Sequence, residues 1–350
     1  MNFFLKLYNK AQGLLPRILN RFNIFLYFRT SRIRRRAAQC LRAHPRQMRV
    51  VRLLGNFPGL WQRSIEQTPG GSCQWGNTLF VADGPADIYV ILNSIIRPVG
   101  NRYIKPAFAW PERERVWGLH MEPAEYVQYL GYDLAEEHDH ISRFYTNCDY
   151  LIERGGIYKA SPPYVHSHVG KSWDFLNKVE YRPERQQFEL GLICSHLKDI
   201  EGHKIRLEFL ERLDQSGLPY ALWGRGEALK RFRGYQGFAV SKWAAHSQCR
   251  YTIVMENTVS RWYWTEKPAD CLMSFSMPLY HGCPDLGNYL PKDSFIPIDI
   301  RRPDCIETIR EVLHRDTYSH RLNAIHEARQ ILLKKQNLFA FLDREVSNHY

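Results

Sequence analysis

Between Gln187 and Ile300, short apolar runs alternate with amphipathic stretches, and this narrows the fold more than any other feature of the chain. "QFELGLICS" reads as a strand, and "HKIRLEFLERLDQ" follows as a helix with Ile205, Phe209 and Leu213 on one side. "YALWG" is a strand closing on a glycine turn, and "SKWAAHSQC" is helical. "YTIVMEN" is a strand, "TEKPADCLMSF" a helix, and "MPLYHG" and "SFIPIDI" are strands. Such strand–helix alternation builds a parallel sheet with helices on both faces.

Earlier in the chain, "RVVRLLG" (Arg49–Gly55), "ADIYVILN" (Ala86–Asn93), "ERVWGLHME" (Glu114–Glu122) and "CDYLIER" (Cys148–Arg154) read as buried strands. The polar, proline-bearing "NKVEYRPERQQ" (Asn177–Gln187) is the expected linker. A chain of 350 residues suits two domains. From Cys305 onward two or three helices are expected, the most regular being "HEARQILLKKQNLFAFLDREV". The predicted organisation is an arm over 1–45, α/β domains over 46–180 and 188–325, and a C-terminal helix over 326–350. In parallel sheets ligands sit at the carboxyl ends of the strands, so a cleft between the domains is the expected site.

Charge is distributed unevenly. Residues 1–65 hold 14 Lys or Arg and no acid, whereas the remainder holds 34 basic and 36 acidic residues. The basic character therefore belongs to the N-terminal segment. There Phe4, Tyr8, Leu15, Ile18, Leu19 and Phe22 recur at helical spacing with cations between them. This pattern suits a helix lying in an anionic membrane surface. It is too short and too charged to span a bilayer, and Lys6 and Lys10 break any signal-peptide core. Two other readings stay open: a helix packed on the body, and a nucleic-acid arm. The long apolar side chains among the charges, Phe3, Phe4, Phe25 and Phe28, favour the membrane surface over nucleic acid. Eight scattered cysteines without a C-x-x-C pair read as reduced thiols of a cytoplasmic protein.

The stretch "ENTVSRWYWTEK" (Glu256–Lys267) follows the apolar "YTIVM". Thr265 is a good N-cap and Pro268 falls in the first helical turn. Glu266 and Lys267 then occupy a helix N-terminus, whose free N–H groups and partial positive charge suit phosphate. Helix capping alone is the plainer alternative.

The run "YTIVMENTVSRWYWTEKPADCL...MPLYHGCPDLGNYLPKDSFIPIDI" resembles the donor-binding region of glycosyltransferase family 10, the α-1,3/4-fucosyltransferases. The matching positions are Glu256-Asn257, Tyr263, Thr265-Glu266-Lys267, Pro278, Gly282, Pro291 and Ser294-Phe295-Ile296. Arg206 resembles the family's diphosphate-binding arginine, "LWGRG" (Leu222–Gly226) its strand and turn, and Lys242 a lysine before the E-N strand. The resemblance runs from about Glu189 to Ile300. Two features depart from it: a glycine expected after the T-E-K helix is replaced at Phe275, and the basic amphipathic segment, often C-terminal in bacterial members, is N-terminal here.

The resemblance implies an α/β fold of the GT-B type, two Rossmann-like domains facing a cleft with a C-terminal helical segment. It implies inverting transfer of L-fucose from GDP-fucose to a sugar hydroxyl of a glycan acceptor, with an α-1,3 linkage on a surface glycan or lipopolysaccharide as the expected product. In that reading Arg206 and Lys267 stabilise the leaving diphosphate, and Glu266 the oxocarbenium-like sugar. Asn257 and Tyr263 hold the donor, and Glu256 either contacts the donor or serves structure at the strand end. The general base maps to Glu122 in "RVWGLHMEP", with Glu125 as runner-up. No metal or other cofactor is required, and a divalent cation is expected at most to stimulate. Residues 1–45 would hold the enzyme at the inner face of the membrane, and no nucleic-acid partner is expected. The alternatives are another GDP-sugar donor, or a non-catalytic glycan-binding protein at the membrane surface.

Weaker motifs are read more plainly. "EEHDHI" (Glu136–Ile141) is a solvated acidic turn, since no third metal ligand follows its two histidines. His166 and His168 could line the acceptor side of the cleft, and "DGPAD" (Asp83–Asp87) is a turn before a strand.

Overall fold

A computed structural model of the chain describes residues 48–55, 65–82, 84–95, 97–99, 102–104, 109–134, 136–164, 169–315 and 317–350. The arm over 1–45, His166 and His168 lie outside the described residues.

The first sheet comprises β1 (Arg49–Gly55), β2 (Gln74–Trp75), β3 (Thr78–Val81) and β4 (Ile88–Leu92). A separate hairpin, β5 (Arg97–Val99) and β6 (Arg102–Ile104), precedes its remaining strands β7 (Val116–Leu119), β8 (Arg143–Thr146) and β9 (Tyr158–Ala160). Their order is β2-β3-β1-β4-β7-β8-β9, parallel except for the edge strand β2. Helices α1 (Ala124–Tyr129), α2 (Asp149–Arg154) and α3 (Trp173–Lys178) accompany it.

The second sheet is wholly parallel. It holds β10 (Phe188–Ser195), β11 (Ala221–Arg225), β12 (Tyr235–Gly237), β13 (Cys249–Met255), β14 (Met277–His281) and β15 (Ile296–Pro297), in the order β12-β11-β10-β13-β14-β15. Numbered within the domain, this is the doubly wound 3-2-1-4-5-6 order, whose switch point lies between β10 and β13. Around it pack α4 (Glu201–Gln215), α5 (Lys242–His246), α6 (Glu266–Met273), α7 (Cys305–Arg315) and α8 (Tyr318–Lys334). Every residue of β13 except Arg250 is buried, as expected of a central parallel strand covered on both faces. On α4 the buried stripe is His203, Arg206, Phe209, Leu210 and Leu213, so Arg206 shares the apolar face.

The final helix α9 (Leu338–His349) leaves the second domain and covers the first sheet. Leu338, Phe339, Phe341, Leu342 and Val346 join Phe80, Trp117 and Tyr145 in one core, each large side chain contributing about 1.5–3 kcal/mol on burial. Asn337 makes the turn: its side chain donates to Leu332 O and Leu333 O and accepts from Ala340 N at 2.9 Å. The single C-terminal helix expected over 326–350 is thus two, and the boundary at 326 falls inside α8.

Three other sequence readings need correction. "CDYLIER" is helix α2, not a strand; Leu151 is its one fully buried residue and Gly155, at φ 69°, ends it. Three consecutive apolar residues between charges fit one helical turn, and the strand is the preceding "RFYT" of β8. "SFIPIDI" forms a strand only at Ile296–Pro297. "EEHDHI" is a 3-10 turn that is partly internal. Glu137 accepts from Ser94 Oγ at 2.9 Å and Ile95 N at 3.0 Å, and His138 Nδ1 lies 3.0 Å from Tyr158 Oη.

Phe275 occupies the position where a glycine was expected, and its φ of 60° explains the expectation. Ser276 N donates to Cys271 O and Phe275 N to Leu272 O, which is the Schellman termination of α6. A non-glycine residue in this left-handed conformation costs about 1–2 kcal/mol. Burial of the ring under the Arg329 guanidinium, 3.7 Å from its centroid, offsets that cost.

Candidate active site

The crevice outside the carboxyl ends of β10 and β13 is where the topology places a ligand. A cavity of about 250 Å³ opens there. Four cations line it, Arg206, Arg225, Lys242 and Lys267, together with the carboxylate of Glu266. Arg225 lies over the exposed ring of Phe238, 4.3 Å from its centroid, at the rim.

Each polar group is fixed from behind. Arg206 Nη1 donates to Asn257 Oδ1 at 2.7 Å, linking α4 to the loop after β13. Its Nε is buried with no hydrogen-bond partner among the described residues. Lys242 Nζ sits 3.0 Å from Glu266 Oε1 and 2.9 Å from Asp270 Oδ2. Burial would lower the Lys242 ammonium, but Asp270 and Glu266 outweigh it and hold the pKa above the ordinary lysine range. Thr265 caps α6, its hydroxyl accepting from Lys267 N at 3.4 Å.

Glu256 resolves the choice left open by the sequence. Its side chain has 0% exposure; it accepts from Thr265 N at 2.8 Å and Thr265 Oγ1 at 2.8 Å, and pairs with Lys267 Nζ at 2.9 Å. In this structure Glu256 anchors the cap and the lysine, the structural one of the two roles. Burial would lower the Lys267 ammonium, but Glu256 and Glu266 outweigh it and raise its pKa. Tyr263 is also internal, 1% exposed, so its ring is no stacking platform in this conformation. Burial, reinforced by Glu256, Glu122 and Glu266, raises its pKa well above normal, leaving a neutral phenol in the site.

Across the cleft, Glu122 follows β7. Its loop is held by two asparagines that directly follow neighbouring strands: Asn93 Oδ1 accepts from Met121 N at 2.6 Å, and Asn147 Nδ2 donates to Glu122 O at 3.0 Å. Neither asparagine was singled out from sequence, although each ends an apolar strand run. Burial raises the Glu122 carboxyl to about 7; Lys267 opposes this and Glu266 reinforces it. Glu122 thus feels both charged residues of the first turn of α6. Glu125, the runner-up, is exposed on α1, and its Oε2 accepts from Thr258 Oγ1 at 2.7 Å, joining the two domains.

The chain matches no family model and no curated protein. Among solved structures, an alpha-glucosyltransferase in complex with UDP and a 13-mer DNA containing an HMU base aligns at TM-score 0.55 and 13% identity, covering 87% of this chain and 99% of that one. A UDP-forming alpha,alpha-trehalose-phosphate synthase from Burkholderia xenovorans aligns at TM-score 0.50 and 10% identity, covering 86% and 98%. The chain has the GT-B fold. An alpha1,3-fucosyltransferase solved with GDP-fucose is also similar, at TM-score 0.46 and 12% identity, covering 83% and 92%. Within the GT-B frame, the cationic crevice lies in the second domain and Glu122 in the first. Chemically, that pairing offers anion binding on one side and proton abstraction on the other.

Proposed function

We propose that the chain is an inverting fucosyltransferase that moves L-fucose from GDP-fucose to a sugar hydroxyl of a glycan. What supports this reading is that Glu122, whose carboxyl burial pushes up to about 7, feels the charges of Lys267 and Glu266, and that these two residues line the crevice with Arg206. In one displacement the acceptor oxygen bonds to the anomeric carbon, its proton passes to Glu122, and the bond to the β-phosphate oxygen breaks. Arg206, Lys267 and the α6 N-terminus take up the charge growing on GDP. Glu266, oriented by Lys242, faces the positive charge growing on the sugar. Cations of the chain supply the electrostatic work, so metal is not required; activity retained in excess EDTA is the expected result.

The reading extends to place and partners. The expected acceptor is a surface glycan or lipopolysaccharide with the α-1,3 linkage, and residues 1–45 bind the anionic inner face of the membrane. Deleting 1–45 should spare transfer to a soluble acceptor while abolishing sedimentation with anionic vesicles. Loss of both would instead favour a packed helix.

A panel of nucleotide sugars tests the donor. Turnover is expected with GDP-fucose and not with UDP-glucose. Turnover of GDP-mannose without GDP-fucose would replace this reading by another GDP-sugar transferase.

Gly202 offers a local test of the donor site. A Cβ there would stand 1.7 Å from Asn257 O, so the loop after β13 reaches α4 only past a glycine. Gly202→Ala ordinarily stabilises a helix by about 0.5–1 kcal/mol. Here it should displace Asn257, free Arg206 and weaken GDP binding about tenfold, as read by calorimetric titration.

A further inference from the structure

A second and larger cavity, about 470 Å³, lies between the domains beside the donor crevice. Sheet register builds one wall. Tyr145 of β8 pairs with Lys159 of β9, and Arg143 precedes Tyr145 by two residues, so all three project from the same face. Helix α9 adds Arg344, and the loop after β13 adds Trp262.

The charge is unbalanced. Glu345, the one carboxylate lining the cavity, accepts from Tyr145 Oη at 2.7 Å and lies 3.9 Å from Arg143. Lys159 and Arg344 form no ion pair among the described residues. Two cations are therefore left over in a space bordered by the aromatic rings of Trp262, Tyr164 and Tyr289. Flat rings with a polar edge suit the C–H faces of a sugar, and a planar guanidinium suits a carboxylate or phosphate. The cavity is also adjacent to the chemistry. Trp262 lines it and sits in the loop that joins Asn257 to Lys267.

We propose that this interdomain cavity binds an anionic sugar, one bearing a carboxylate or a phosphate, through Lys159, Arg344 and the face of Trp262. Its role as an acceptor subsite rests on the transferase reading above; the binding itself does not.

The test uses the full chain and calorimetric titration with four probes: methyl β-D-glucuronide, glucose 6-phosphate, methyl β-D-glucoside and inorganic phosphate, each with GDP present in excess. At low salt, at least one anionic sugar should bind about tenfold more tightly than the neutral glucoside and more tightly than phosphate. The stronger of the two names the acid. In the Lys159→Ala/Arg344→Gln variant, whose changes lie on exposed side chains, that preference should vanish while GDP affinity and melting temperature hold. Trp262→Ala should weaken the preferred acidic sugar and the glucoside alike. Equal binding of the glucoside and both acidic sugars, phosphate binding as tight as glucose 6-phosphate, or an unchanged preference in the double variant would each overturn the proposal. Failure of GDP to bind would instead strike the donor reading, with the glucuronide and glucoside arms still standing.

Discussion

Replacing Glu122 by Gln should lower fucosyl transfer by about a thousandfold while leaving GDP affinity unchanged. Gln keeps the shape and removes the basic oxygen. Wild-type kcat/KM should rise with pH through about 7, because the base works only after losing the proton that burial helps it keep. The residual activity of Glu122→Gln should lack that limb. Stability should move the other way. Glu122 binds its proton more tightly folded than unfolded, so between about pH 4.5 and 7 the native state holds more protons and stability falls as pH rises. At pH 8 the variant should therefore be more stable than wild type by about 3 kcal/mol, with the gain vanishing near pH 4. Glu122→Gln with full activity would remove Glu122 as the base. Lost activity with lost GDP binding would point to a collapsed site instead.

Lys267→Met should have the largest effect on stability. Glu256 is wholly buried and Lys267 is its cation at 2.9 Å, leaving Thr265 as the carboxylate's other donor among the described residues. Stripping one partner from a buried pair costs about 3–5 kcal/mol, because the other charge is left uncompensated. Melting should fall by roughly 6–15 °C, and GDP affinity should drop as the phosphate cation is lost. Adding Glu256→Gln removes the stranded charge while Thr265 can still donate to the amide oxygen. The double variant should regain most of the stability and none of the GDP affinity. Recovery of both would mean that Lys267 serves only Glu256.

Legibility of the site in the sequence followed the reach of its interactions. Strand β13, the loop, the Thr265 cap and the first turn of α6 span neighbouring residues, so "ENTVSRWYWTEK" could be read directly. Arg206 lies 51 residues from Asn257, and its 2.7 Å bond shows only in three dimensions. The same is true of the Lys242 clamp on Glu266 and Asp270, the asparagines that fix the Glu122 loop, and the Thr258–Glu125 bridge. The role of Glu256 stays open in the sequence, which shows that a carboxylate ends a strand, not which way it turns. Edge strands β2, β9 and β12, two or three residues each, are too short for period-two patterning. Nor does composition mark α9 as belonging to the first sheet; its apolar residues would suit either core.

The anomeric configuration of the product tests the account most directly. With GDP-fucose and an oligosaccharide acceptor, proton NMR of the early product should show a single fucoside whose anomeric configuration is opposite to that of the donor, as one displacement assisted by Glu122 requires. A product that retains the donor's configuration would contradict the account.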